Sequence, residues 1–297
     1  MKTITIGFDN SDIDQYTLTA AKTLNDALPV KKLICAHVEP KFDIWDALYH
    51  KEVTKLASEE KELNTIKKEL EKSQIFYLNG KSKDHTNVVV KHGKVVPELI
   101  GILEKNESDL LILGQQDNDT GHGTLIRNLI RRSMVNILVV PKISLKKIKT
   151  IVVAVDFSKC SEKVVQTVHE MAIALGGNVT IKLMHVYSVP FFIEERDPIE
   201  QNDYIRGTAN AVCRAFSKLT EKYEFPGTSK LEYIELTSEP DKFHEAIAQT
   251  AKSEHADLLI VGNVGHSPYK QFYLGSVAEK LTFSKLPCAT LFVSCNQ

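Results

Sequence analysis

Two periodicities alternate along this chain. Short apolar runs such as Asp109-Leu110-Leu111-Ile112-Leu113 and Asp257-Leu258-Leu259-Ile260-Val261 have the length and composition of strands buried on both faces. Between such runs, apolar residues return every three or four positions, the spacing of a helix with one buried side. The pattern predicts strands at 3–9, 32–38, 87–90, 109–113 and 136–140, and helices at 14–27, 45–72, 96–104 and 124–132. It then starts again, with strands at 150–155, 180–186, 231–236, 257–261 and 289–293 and helices at 161–175, 203–223, 241–253 and 275–284. Strands alternating with helices imply right-handed crossovers and a parallel sheet covered on both faces. In the long stretch 45–72, Val53, Leu56, Ala57, Leu63, Ile66 and Leu70 share one side. Leu56, Leu63 and Leu70 also keep a heptad spacing, but a crossover helix lying on the sheet is the expected arrangement.

The second set of elements is a copy of the first. Ile4-Thr5-Ile6-Gly7-Phe8-Asp9 answers Val153-Ala154-Val155-Asp156, Cys35-Ala36-His37-Val38 answers Leu183-Met184-His185-Val186, and the two Asp-Leu-Leu-Ile runs nearly coincide. The offsets are 147, 148 and 148 residues. Separated matches at one offset mark an internal duplication. The chain therefore divides into a first domain at 1–141, a connector at 142–149 and a second domain at 150–297. The connector's four lysines read as a solvated link or as an anion patch, and the link is the simpler account.

Past the repeated strand the halves part. The second half continues Gly262-Asn263-Val264-Gly265, nine residues, then Gly275-Ser276. A strand ending in glycines and leading into a helix is a natural phosphate cradle. The helix N-terminus offers unpaired N–H groups and partial positive charge, Gly262 and Gly265 let the backbone come close, and Ser276 is placed to cap the helix. The first half has Gly123-Thr124 where Gly275-Ser276 stand, but its loop is four residues shorter and carries Asp117 in place of Gly265. Asp156, Val186 and Gly262 all fall at predicted strand ends, where ligands bind in open α/β sheets.

Composition narrows the partners. A net charge of −1 gives no global case for nucleic acid or anionic lipid. No apolar run approaches the ~20 residues of a membrane span. The chain runs from Met1 straight into strand-like sequence, so no secretory leader is expected. Cys35, Cys160, Cys213, Cys288 and Cys295 are scattered without a CxxC, which fits reduced thiols in a cytoplasmic protein.

Individual residues carry alternatives. Asp156 can contact a nucleoside, cap the following helix as Ser158 can, or do both. His266 can reach a phosphate or act as a general acid, although a solvated loop histidine is the simpler account. His37 and His185 read as packed strand-end histidines, and no Cys/His cluster suggests zinc. Gly121-His122-Gly123-Thr124 fails the dinucleotide fingerprint, because Ile126 stands where a glycine is needed. Arg127, Arg131 and Arg132 read as a charged solvent face or as an anion site.

Together these residues resemble the universal stress protein (UspA-type) family, in its tandem two-domain form. The motif is G-x2-G-x9-G-[ST], met by Gly262, Gly265, Gly275 and Ser276, with Ala154-Val155-Asp156-Phe157-Ser158 similar to the opening strand and His185-Val186 to the end of the second. The resemblance implies two tandem, doubly wound α/β domains, Rossmann-like and akin to adenine-nucleotide alpha-hydrolases, packed as a pseudo-dimer. Pro287-Cys288-Ala289-Thr290-Leu291-Phe292-Val293 resembles the last strand, which pairs domains across an interface. It also implies ATP, or ADP or AMP, in the second domain with Mg²⁺ on the phosphates. The implied contacts are Ala154, Val155, Asp156, Val186, Val261, Gly262, Val264, Gly265, His266, Gly275, Ser276 and Val277. The first domain would be a degenerate copy serving as a structural or interaction partner. The expected function is a nucleotide-dependent regulatory module of the stress response, acting on a protein partner, with a further homodimer left open. The alternatives are a slow ATP hydrolase and an interaction module with a vestigial pocket.

Overall fold

The computed structural model describes residues 3–40, 64–68, 70–71, 86–116, 120–265 and 274–295. The first half runs β1 (Thr3–Phe8), α1 (Asp14–Ala27), β2 (Lys32–Pro40), β3 (Thr86–Gly93), α2 (Val95–Lys105), β4 (Leu110–Gly114), α3 (Thr120–Arg132) and β5 (Asn136–Val140). The second runs β6 (Thr150–Ala154), α4 (Lys159–Ala174), β7 (Thr180–Tyr187), α5 (Phe191–Glu194), α6 (Pro198–Thr220), β8 (Lys230–Thr237), α7 (Phe243–Ser253), β9 (Leu258–Gly262), α8 (Ser276–Phe283) and β10 (Ala289–Val293). Each predicted strand is present, and α5 is an addition that four residues of sequence could not announce. Of the stretch 45–72, Ile66 and Leu70 are buried in the core beneath the sheet, as a crossover helix requires. Residues 45–63, 69 and 72 of that stretch, and Asp117, lie outside the described residues.

All ten strands form one sheet in the order β3-β2-β1-β4-β5-β10-β9-β6-β7-β8. Within each half every pairing is parallel. The halves meet through β5 and β10, which run antiparallel with Leu138 opposite Leu291. This strand order is a palindrome about the β5–β10 junction, so the halves are related by a pseudo-two-fold axis. A largely apolar strand cannot be left as an open edge without inviting association. The pairing closes both inner edges at once, and the Asn136 side chain extends the junction by accepting from the Ser294 N–H at 3.0 Å.

Alternation along the strands feeds two core layers. Ile4, Ile6, Ile151 and Val153 face α1, α4 and α6, whereas Ile34, Ala36, Leu111 and Val152 face α2, α3, α7 and α8. Both layers run unbroken across the junction. The repeated aspartates have a structural use: Asp109 Oδ2 accepts from the Thr3 N–H (2.9 Å), and Asp257 Oδ2 accepts from the Lys149 and Thr150 N–H groups (2.7 and 3.0 Å). Each one pins the start of its half's first and central strand beside the neighbouring β4 or β9. The connector keeps its lysines exposed, as expected of a solvated link, but Leu145 and Ile148 are buried in the core. It is docked along the protein, with the Thr23 hydroxyl donating to the Leu145 carbonyl at 2.6 Å.

Glu107 and His255 occupy equivalent positions just past α2 and α7, with φ of 48° and 49°. In each, the next residue's N–H reaches back five residues to close the helix end: Ser108 to Leu103 O and Ala256 to Ala251 O. That cap favours glycine, because a Cβ is strained in the left-handed region. Both side chains are exposed. His255→Gly should therefore stabilise the protein by ~0.5–1 kcal/mol, and adding Glu107→Gly should give a nearly additive gain. Chemical denaturation of the single and double variants measures both.

Candidate functional site

The strand order reverses direction between β6 and β9, whose carboxyl ends open a crevice. A cavity of about 760 Å³ lies there. It is lined by Ala154, Val155, Asp156, Val186, Val261, Gly262, Val264, Gly265, Gly275, Ser276 and Val277, so every predicted site residue except His266 comes to one place. His266 lies outside the described residues.

One wall is built on the turn from β6 into α4. Asp156 does not cap the helix, and Ser158 at the cap position makes no side-chain cap bond. The Asp156 carboxylate instead braces the turn: its Oδ1 accepts from the Ser158 N–H (3.0 Å) and from the Ser161 hydroxyl (2.8 Å). The Ser161 oxygen accepts in return from the Asp156 N–H at 3.1 Å. This turn forces Phe157 to φ 60°, an unusual conformation for a bulky side chain. Aromatic packing holds it there, with His185 at 4.7 Å and Phe216 at 5.2 Å between ring centroids. His185 Nδ1 lies 2.9 Å from the Val155 carbonyl, which can only accept, so Nδ1 carries a proton. His37 makes the equivalent bond to the Phe8 carbonyl. Both are packed strand-end histidines. Tyr187 completes this side, its phenol held above its ordinary pKa by burial and by the nearby Glu235 carboxylate.

The other wall is organised by Asn263. Its N–H donates to Val293 O, its carbonyl accepts from the Gly275 N–H (2.8 Å), and its Oδ1 accepts from the Cys295 N–H (2.9 Å). The side chain is buried, and its Nδ2 has no hydrogen-bond partner among the described residues. Gly275, not Ser276, is the N-cap of α8, and no side chain caps that helix. The expectation of a Ser276 cap is thus corrected. The Asn263–Gly275 bond fixes the chain one residue earlier, leaving Ser276 as the exposed first helical residue.

The glycines serve different ends. A Cβ on Gly262 would lie 2.5 Å from Cys160 Sγ, and one on Gly265 would lie 2.6 Å from Asp156 Oδ2. Both therefore make room for the opposite wall as well as for any ligand. A Cβ on Gly275 would make ordinary contact, 3.5 Å from the Asn263 carbonyl, the Gly265 nitrogen and Val264 Cα, so that position tolerates a side chain.

Cys160 and Cys295 are joined as a disulfide, with Cα atoms 5.5 Å apart across a separation of 135 residues. This corrects the expectation that all five cysteines are reduced thiols; Cys35, Cys213 and Cys288 take no part in a disulfide. The spacing gave no hint, because only the fold brings the start of α4 beside the end of β10.

The equivalent place in the first half is built for other purposes. Asp14 stands where Ser161 stands, and its carboxylate faces Asp9: Asp14 Oδ1 accepts from the Asp9 N–H at 3.4 Å. Burial first, then the Asp9 charge, pushes the Asp14 carboxyl up to about 7. Gln115, equivalent to Asn263, sends its longer amide across the junction to Ser284 O at 3.0 Å. A Cβ on Gly123 would strike the Phe283 ring at 2.7 Å, so this glycine serves contact between α3 and α8. Arg127 donates to Glu279 at 3.2 Å and lies over the same ring, whereas Arg131 and Arg132 are exposed. The anion site considered for these arginines is not assembled; Arg127 joins the halves.

The sequence profile of the Universal stress protein family matches residues 1–141 and again 147–294. The chain belongs to that family. Solved structures agree on the tandem fold. A universal stress protein from Archaeoglobus fulgidus DSM 4304 is 13% identical, covers 98% of each chain and has a TM-score of 0.66. A putative universal stress protein from Pseudomonas aeruginosa UCBPP-PA14 is 15% identical, with 99% of this chain and 93% of that one covered and a TM-score of 0.62. No match to a curated protein was found. Among the described residues of this universal stress protein, no helix is long and apolar enough to cross a membrane, and no group of three or more His, Cys, Asp or Glu could hold a metal.

Two outcomes follow from the paired sites. Gly265→Ala should cost ~1–3 kcal/mol, since its Cβ meets a carboxylate already held by two donors. The second concerns pH. Folded Asp14 keeps its proton up to about 7, against 3.8 in the unfolded chain. The folded state thus binds the extra proton between those values, and its stability falls as pH rises through that window. Asp14→Asn should match the parent near pH 4 and exceed it by ~1–3 kcal/mol at pH 8. Denaturation curves at both pH values report the difference.

Proposed function

We propose that the second domain binds an adenine nucleotide, ATP with Mg²⁺ on its phosphates, and that the protein works as a nucleotide-dependent binding module. The observation that carries this reading is the N-terminus of α8. It opens on the cavity at the strand switch point, lacks a side-chain cap, and brings Gly275 and Ser276 to the cavity lining. Unpaired N–H groups with partial positive charge need an acceptor, and a phosphate supplies one. On the opposite wall the strand ends at Ala154, Val155 and Val186 give the lining an apolar side suited to a base and ribose. The cavity volume lies within the range of small-molecule sites, ~300–1,000 Å³.

The residues fit the group as a binder. With no acidic cluster among the described residues, a metal would arrive with the phosphates. Asp156 Oδ1 already accepts two hydrogen bonds that hold the β6–α4 turn, and His185 Nδ1 donates to a backbone carbonyl. Both are engaged in shaping the walls, which favours a switch over a hydrolase. Bound phosphate would fix the Gly262–Gly265 segment against the α8 N-terminus, and a protein partner would read that surface. The first domain, with its facing carboxylates and its cross-junction contacts, contributes the partner half of the pseudo-dimer.

Gly275→Asp separates binding from folding. Aspartate is a favoured N-cap, so α8 should hold or gain stability while the carboxylate takes the phosphate's place. Titration calorimetry with ATP and Mg²⁺ should show one site per chain in the parent and at least tenfold weaker binding in the variant. Adenine nucleotide released on denaturing the purified parent would agree. Absence of release, together with no binding at millimolar ATP and Mg²⁺, would falsify the reading.

A further inference from the structure

The Cys160–Cys295 bond lies where the two walls of the cavity meet. Cys160 is the second residue of α4, and the next residue, Ser161, brackets Asp156 on the first wall. Cys295 donates its N–H to Asn263 Oδ1, and Asn263 holds Gly275 on the second wall. A single covalent link thus ties the Asp156 turn to the Asn263–Gly275 segment. Cys160 Sγ also occupies the space that a Cβ on Gly262 would need, so the sulfur forms part of the cavity floor. The other half has no counterpart, since Ile13 fills the Cys160 position against Gly114.

We infer that Cys160 and Cys295 form a reversible thiol–disulfide couple that sets the cavity's affinity for its ligand; this rests on the nucleotide reading above. The oxidant is a low-molecular-weight disulfide. The Cys295 thiolate, the more exposed of the two, attacks one sulfur of that disulfide and displaces the first small thiolate. The Cys160 thiolate then attacks the Cys295 sulfur of the mixed disulfide and displaces the second. Two protons leave the protein thiols and two small thiols form, so one disulfide is exchanged for another. The reverse runs with two small thiols. When the bond opens, the Cys160 side chain is free to turn and the Cys295 anchor on Asn263 loses its covalent stay. The walls are then less preorganised, and binding weakens.

The couple is tested on the full chain carrying Cys213→Ser, which removes the exposed free thiol. ATP with Mg²⁺ is titrated after equilibration with oxidised or with reduced glutathione, and protein thiols are counted by alkylation and mass spectrometry. The expected result is binding five- to twentyfold tighter in the oxidised form, with an added Cys295→Ser change matching the reduced form. Linkage requires saturating ATP to favour the disulfide by the same factor, ~30 mV in the couple's potential for each tenfold. Affinities within twofold of each other would overturn the inference and leave the nucleotide reading standing. So would a bond that reduced glutathione opens only when the protein unfolds. Binding by neither form removes both.

Discussion

The antiparallel contact of β5 with β10 is the constraint on which the rest of the molecule depends. Each half alone would end in an apolar strand with an unpaired edge. Joining the edges satisfies both, makes one continuous ten-stranded sheet, and carries the two core layers across the junction. It also sets where everything else lies. The position of α3 against α8, the path of the docked connector and the approach of Gln115 to the opposite half all follow from it.

A duplicated scaffold held in this way frees equivalent positions to diverge. Asn263 and Gln115 occupy the same place and make the same backbone bond to the neighbouring last strand. One methylene separates them, and the shorter side chain bonds within its own half while the longer one crosses the junction. Ser161 and Asp14 show the same divergence. A hydroxyl can both donate and accept, so it closes a compact turn with Asp156, whereas a carboxylate facing Asp9 must either hold a proton or repel. Phe157 and Asn10 share a positive φ, which asparagine tolerates readily and phenylalanine sustains only through its ring contacts. The same backbone thus presents an uncapped helix end beside a cavity in one half and a contact surface in the other.

Bond chemistry gives this asymmetry a further dimension. The walls of the cavity come from segments far apart in the chain, and hydrogen bonds through Ser161 and Asn263 hold each one separately. The disulfide is the covalent link between them, placed where a change in oxidation state would be felt by both.

Much of this architecture was legible in the sequence because its causes are local. Apolar runs and helical periodicity specify strands and amphipathic helices, a fixed repeat offset specifies a duplication, and glycines between a strand and a helix mark a backbone turn. The residues of the crevice could likewise be named, since strand ends in an alternating sheet must converge at its carboxyl edge. What the sequence could not express are relations between distant segments. The pairing of Cys160 with Cys295, the use of Asn263 as a hub, the shift of the α8 cap to Gly275 and the recruitment of Arg127 to the junction depend on which atoms meet after folding. Periodicity determines which face a residue occupies; only tertiary packing decides which neighbour it finds there.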